Sequence, residues 1–524
     1  MNLVLAMLCA VSAFPAPGGG DDQEAPLRRT LLTSEGGTLP RRQLPLSARE
    51  AVSLSLNHNL DIEVARYQPW IEDQNIFAAM GLWDHVAYAT VSASQDVSPG
   101  VSTLSGALKP RNDDVAFTLG IRKLLPYGVS YDLNFSNDRS ESNNAFLLLN
   151  PIWSQTLGAS VTLPLLQGRG TEANTATLLI ARYTRDQSVD SFEKSLSDSI
   201  FQVMQSYWDL VFAIENKKVK DQSLEVALRL LEDTRRKLDR GLAARIDVTQ
   251  ADAGVAAQQE GILTAESAVL GATDKLKRLV DPSLLRDAVM IVPVDAPRVQ
   301  GAELDEKVAV NQAMQEALQR RPEVHQLRSR LLSQDAELVR ARNDLLPKLD
   351  LVGSGALNGT EGTFRASNRD VRAGDFYNWS VLLSFEMPLE RSSAEGSLRR
   401  AELEKKRFLL QVRNLENQIL VEVRDAVRSI KTDEKRIEAT RRARILAQEQ
   451  LDGEISRNEH GLSTTFRVLD VQKELVQAKT NEIKALIDYN LGWHTLHKVT
   501  GALLEKNGIV LKENLQPRVT LAGR

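Results

Sequence analysis

The chain has 524 residues, 65 basic and 69 acidic, for a formal net charge of −4. That near-balance argues against a dedicated nucleic-acid binder, which carries a basic face. The single cysteine, Cys9, excludes intrachain disulfides and cysteine-built metal sites. Aromatic residues make up only 5% and apolar residues 42%, a lean mixture typical of long helical assemblies.

The chain opens on a short apolar run, Leu3 to Val11, followed by Ser12-Ala13-Phe14-Pro15. That pattern predicts a secretory leader over 1–13, too short to cross a bilayer as a helix. Only Met1 and Asn2 precede the run, so the missing basic n-region is expected upstream of this start. Leu8 before Cys9 argues against lipidation. From 14 to 46 the Gly, Pro, Arg and acidic composition predicts a flexible lead-in. No other run approaches the ~18 apolar residues of a transmembrane helix. Any crossing of a membrane therefore falls to strands.

Regular structure is expected from the capping box Ser47-Ala48-Arg49-Glu50, with a helix running to about Gly81. A second copy of this opening stands at Ala313 to Val324: Ala51 and Leu56 match Ala313 and Leu318, and Asp61 matches Glu323. The chain thus reads as a duplication, 47–300 and 301–505, followed by a tail over 506–524. Each half runs helix, strands, long helix, tip, long helix.

Strands are predicted at about 86–96, 115–123, 129–137 and 153–163 in the first half and within 348–387 in the second. In Trp379 to Met387, one face is Trp, Val, Leu, Phe, Met and the other Ser, Leu, Ser, Glu. Trp153 to Leu163 and Val129 to Ser136 alternate in the same way. Apolar-out, polar-in segments of about ten residues suit an outer-membrane barrel wall. One face of a soluble sheet would also alternate, but it does not account for two strand blocks flanked by long helices.

Thr171 to Asp239 and Glu395 to Asn458 contain no proline. At 1.5 Å per residue the first reaches about 100 Å. Phe192, Leu196, Ile200, Val203, Tyr207, Leu210 and Ile214 form its seam; Leu415, Ile419, Val423, Ala426 and Ile430 form that of the second. The return arms, Ala244–Val280 and Thr464–Thr500, are about half as long. Each long arm must therefore be joined beyond its partner's end by the short helices near 47–81 and 304–343. Between arms stand Gly241-Leu242 and Gly461-Leu462, where glycine is the usual left-handed helix stop and Ser463 or Thr464 caps the restart.

These pieces together resemble the TolC-type outer-membrane efflux proteins, over residues 46–505. The carrying motifs are the duplicated Ala-x-x-x-Ala/Ser-Leu opening, Leu345-Leu346-Pro347 before a strand, Pro164-Leu165 and Pro388-Leu389 at the return to helix, the Gly-Leu tips, and Val468-Leu469-Asp470-Val471-Gln472. The resemblance implies a mixed α and β fold: a trimeric outer-membrane β-barrel continued into a long periplasmic α-helical barrel. It implies a homotrimer embedded in outer-membrane lipid. It implies further that a periplasmic adaptor protein docks on the tips and links the channel to an inner-membrane pump. Gly241, Leu242, Gly461 and Leu462 become the docking candidates.

The sequence departs from the family in two places. The first half has four candidate strands where the family has two, so the extra pair either joins the wall, giving six strands per chain, or forms a hairpin outside it. At the pore entrance, Asp247 keeps the family's acid, but Asn458 and Ser463 stand where its Tyr and Arg would be. An Asn458–Asp247 hydrogen bond would be a weaker substitute for the family's charge-assisted latch. Of the two acidic ring positions, Asp470 keeps the acid and Arg467 replaces the other; the pair is spaced as a surface ion pair on one helix.

Enzyme chemistry finds no support. His494 and His497 lack a third ligand, and Gly359-Thr360-Glu361-Gly362 lacks the Lys and helix start of a phosphate loop. No cofactor and no nucleic-acid partner are expected. The alternative to a channel is a structural coiled-coil envelope protein, or a periplasmic adaptor with one helical hairpin rather than two.

Overall fold

The computed structural model describes residues 42–100, 106–286, 289–299 and 306–509. The expected leader, most of the lead-in and the tail from 510 lie outside them. Two long helical hairpins, a six-stranded sheet, a two-stranded sheet and short flanking helices make up the described residues.

Regular structure begins five residues before the capping box. Strand β1 (Arg42–Leu46) pairs in parallel with a later strand, Val289–Pro293 (β6 in chain order). The lead-in expected over 14–46 is corrected there. Burial is the physical reason: Leu46 and Ile291 both enter the core around Tyr207. The Tyr207 hydroxyl donates to Asp295 Oδ2 (3.0 Å), and Ala48 N donates to the same oxygen (2.7 Å).

The opening helix is two helices, α1 (Ala48–His58) and α2 (Leu60–Met80), capped at its start as expected: Glu50 N donates to Ser47 Oγ and Ser47 N to Glu50 Oε2. The break is at Asn59, whose Oδ1 accepts from Asp61 N at 2.8 Å. Its counterpart in the second half breaks at the equivalent residue, Arg321, because Pro322 disfavours helical backbone before it. That gives α5 (Glu306–Arg320) and α6 (Pro322–Asp344).

The long arms are α3 (Ala176–Asp239, 64 residues) and α8 (Ser392–Glu459, 68 residues), with return arms α4 (Arg245–Val280) and α9 (Thr465–Val499). Both seams are where the spacing puts them: Phe192, Leu196, Ile200, Val203, Tyr207 and Leu210 are buried on α3, and Ile419, Val423, Ala426 and Ile430 on α8. The short helices flank the long arms. Asp73 on α2 pairs with Arg185 on α3 at 3.1 Å, and α6 packs Leu338 and Ala341 against Ala401 of α8. Between hairpins, Gln472 Nε2 on α9 donates to Ser223 O on α3 at 2.6 Å, both side chains buried.

Strands β2 (Val86–Val97), β3 (Arg111–Leu124), β4 (Ser130–Ser142), β5 (Ile152–Pro164), β7 (Lys348–Glu361) and β8 (Tyr377–Glu386) form one antiparallel sheet in that order. The extra pair therefore belongs to the same sheet as the others, not to a separate hairpin. Register aligns like with like. Leu119, Phe135, Leu157, Leu357 and Tyr377 form one row across the sheet, and Leu163, Leu351 and Leu383 another. Leu119, Leu133, Leu157, Val161, Trp379, Val381 and Leu383 on that face are exposed. The opposite face is polar and internally bonded, through Thr156 to Asn358 (3.1 Å) and Ser354 to Ser380 (2.7 Å). Among the described residues β2 and β8 each pair on one side only. A helix not expected from the sequence, α7 (Phe364–Ala373), joins β7 to β8.

Candidate functional site

Both hairpin tips close in the same way. After α3, Leu242 N donates to Lys237 O and Gly241 N to Leu238 O, each at 2.8 Å. After α8, Leu462 N donates to Arg457 O (2.8 Å) and Gly461 N to Asn458 O (3.1 Å). This is the Schellman ending, which needs a left-handed residue where the glycine stands. Gly241 and Gly461 sit at φ +73° and +74°, with open space where a side chain would project. Their positive φ closes the turns.

The leucines have no such internal task. In this motif the residue after glycine usually packs on the helix one turn back, but that partner is Lys237 in one tip and Arg457 in the other. Leu242 is 75% exposed and Leu462 71%. Each has an apolar neighbour four residues on that sequence reasoning passed over: Ile246, 60% exposed, and Phe466, 64%. The signal was available, because aligning the two tips on Gly-Leu places Ile246 against Phe466. Each tip thus presents a two-residue apolar knob.

The helices restart differently. At the first tip Asp247 Oδ2 accepts from Ala244 N at 2.9 Å. At the second, Thr464 Oγ1 accepts from Arg467 N at 3.3 Å, so Thr464 and not Ser463 is the cap. Each tip carries one half of a capping box.

Asp247 spends its carboxylate on its own helix, and the bond expected between it and Asn458 is not formed within the chain. Asn458 is buried, and Lys237 reaches it from the first hairpin, Nζ donating to Asn458 O (2.6 Å) and Oδ1 (2.9 Å). Asn458 Nδ2 donates in turn to Ser463 O (3.0 Å), and Ser463 Oγ to Glu454. Lys237 thus hydrogen-bonds across from one tip to the other, and it lies in a run of charges where nothing marks it out. Arg467 and Asp470 form an ion pair at 2.8 Å, both half-exposed.

No helix among the described residues is long and apolar enough to cross a membrane. No group of three or more metal-ligating side chains gathers among them. His494 and His497 lie on α9 in the helical body; burial pushes His494 down to about 4 and lowers His497 as well.

The outer membrane efflux protein family profile matches residues 124–280 and 313–502. Each matched segment holds two whole strands of the six-stranded sheet and one hairpin, leaving β2 and almost all of β3 before the first. The outer membrane protein TolC of Escherichia coli (strain K12) is 23% identical over 408 residues, 76% of this chain and 78% of that protein. Among solved structures, the outer-membrane channel OprN superposes with a TM-score of 0.66 at 18% identity, covering 87% of this chain and 90% of that one. The Campylobacter jejuni CmeC outer membrane channel gives 0.65 at 15% identity, over 87% and 86%. With most of both repeats matched, the chain belongs to the outer membrane efflux protein family.

Proposed function

We propose that three copies of this chain form one outer-membrane channel, joining their sheets into an eighteen-stranded barrel, about six strands per copy, and their hairpins into a periplasmic tunnel. The observation that carries this reading is the sheet itself. It has a continuous exposed apolar face, a bonded polar face, and two free edges, β2 and β8. Free edges are not tolerated in lipid, because each unpaired backbone group costs several kcal/mol there. Pairing β2 of one copy with β8 of the next removes both edges. A structural coiled-coil protein, or an adaptor, has no use for such a sheet.

At the far end, the paired knobs Leu242 with Ile246 and Leu462 with Phe466 supply a surface for a periplasmic adaptor that links the channel to an inner-membrane pump. Exposed apolar pairs at the ends of long solvated helices need a partner. Asp247, Asn458, Ser463, Arg467 and Asp470 then lie near the periplasmic entrance, with the Lys237–Asn458 bond holding neighbouring hairpins together. Mass measurement of the chain in detergent should give three copies. A stable monomer would overturn the barrel and the channel together.

A further inference from the structure

The apolar face of the sheet does not end where its apolar rows end. Beyond the row Leu119, Phe135, Leu157 and Leu357, the next row on that face is Phe117, Asn137, Gln155 and Gly359. Helix α7 lies on this row. Gln155 Nε2 donates to Asn137 Oδ1 (3.1 Å) and to Phe364 O (3.2 Å), and Ser367 Oγ donates to Gly359 O (2.8 Å). A side chain at Gly359 would put its Cβ 2.1 Å from Ser367 O, so glycine there is what lets the helix touch the sheet. The Phe364 ring meets Trp153 edge-on at 5.7 Å. Ser367 and Val371 are buried, which fixes the rotation of the helix.

The opposite side of α7 carries Arg365, Arg369 and Arg372, all exposed. Spacings of four and three residues place them within about 60° of one another around the helix. None makes an ion pair or hydrogen bond through its side chain among the described residues, and Asp370, on the flank, does not reach them. Elsewhere on the outer ends of the strands arginines are neutralised: Arg111 by Asp113 and Arg139 by Glu141. Three unpaired guanidinium groups on one stripe, just past the apolar band, form a surface waiting for anions.

We propose that α7 is a docking strip for the phosphate groups of outer-leaflet lipid headgroups; this rests on the reading of the sheet as a barrel wall. Guanidinium forks match phosphate oxygens two by two. Arginine at hydrocarbon depth is strongly disfavoured, so the stripe marks the headgroup level. The exposed aromatics Phe364, Phe376 and Tyr377 beside it fit an interfacial belt. The strip would tie the barrel to charged lipid at its outer margin.

The test uses native mass spectrometry of the detergent-solubilised full chain, offered mixed micelles of phosphatidic acid or phosphatidylcholine, or inorganic phosphate. Wild type should retain phosphatidic acid and not phosphatidylcholine. At about fivefold per arginine, R365Q/R369Q/R372Q should retain it roughly a hundredfold less. The triple Lys variant should keep most of the retention. If the triple Gln variant does not assemble, the single Gln variants carry the test at about fivefold each. Equal retention by the Gln variants, equal retention of phosphatidylcholine, or displacement by inorganic phosphate at matched concentration would each overturn the proposal. Urea extraction of wild-type membranes separates the two readings. A chain that leaves the membrane defeats the wall itself, whereas one that stays while Gln variants bind as well defeats only the lipid strip.

Discussion

The two hairpin tips share a closure and differ in what surrounds it. Gly241 and Gly461 adopt the same left-handed turn, with the same pair of backbone bonds and the same exposed leucine after it. The residues on either side diverge: Leu238 against Asn458, Ala244 against Thr464, Asp247 against Arg467. A helix reversal has few geometric solutions, so the turn is held in both copies. The flanks face different neighbours once the copies pack side by side, and there a buried amide on the second tip meets a lysine from the first. Duplication supplied two equal ends, and divergence made them complementary.

The sharpest way to break the equality is to charge one knob. Leu462→Asp should abolish export while leaving the mass of the assembly and its melting unchanged, since the side chain is exposed and supports nothing internal. Leu242→Asp should do the same if both tips dock. Export retained in one variant only would show that a single tip carries the adaptor, and export retained in both would confine the leucines to their turns.

The return arms differ in their response to acid. α9 carries His494 and His497; α4 has no histidine. The unfolded chain takes up a proton at His494 near pH 6.5, whereas burial in the folded chain delays it to about 4. The contribution of His494 to stability is therefore constant above 6.5 and is lost as pH drops from 6.5 to about 4, by about 3 kcal/mol. His494→Leu should flatten denaturant midpoints across that window. An unchanged acid slope would mean that other groups govern it.

Much of this was legible in the sequence, for reasons that vary by element. The strands of the large sheet show because successive side chains alternate between its apolar and polar faces, and the seams because a long helix pairs along one stripe. The tips show because only glycine relieves the turn. What escaped depends on distant partners. Arg42 to Leu46 contains a proline and reads as lead-in until Val289 to Pro293, far along the chain, pairs with it. The break at Asn59 was signalled by its own side chain, and that at Arg321 by Pro322, but an unbroken apolar stripe hid both. Helix α7 had a cap at Thr363 and a stop at Gly374, in a stretch expected to be strand and loop. Lys237 had no local mark at all, because its significance lies in Asn458.

That link is the next way to sharpen the comparison. Asn458→Leu makes the second tip match the first, and it leaves the Lys237 ammonium without its side-chain acceptor. A hydrogen bond to a charged group contributes about 2 kcal/mol, less for a lysine partly in water. The variant should melt earlier by an amount in that range, and Lys237→Met alone should cost a similar amount. If the bond is the cause, the double variant costs little more than either single one. Fully additive losses would separate the two residues. Raised conductance in the single variants would show that the bond also holds the entrance shut.

The smallest effect on stability, and the most informative for the pore, belongs to Arg467. Its ion pair with Asp470 spans three residues on an exposed face and contributes a few tenths of a kcal/mol. Arg467→Asp should therefore leave melting almost unchanged, since Thr464 caps the helix through the backbone of residue 467 whatever its side chain. The pair on each copy nevertheless goes from neutral to two negative charges. If the three copies line the entrance, a ring in which Arg467 and Asp470 cancel becomes wholly acidic, and acidic rings favour cations. Planar-bilayer recordings under a salt gradient should show the reversal potential move toward the cation limit, with stronger block by multivalent cations. A reversal potential equal to that of wild type would place Arg467 on the outer surface of the tip, where the ion pair is its whole role, and the divergence between tips would then end at Lys237 and Asn458.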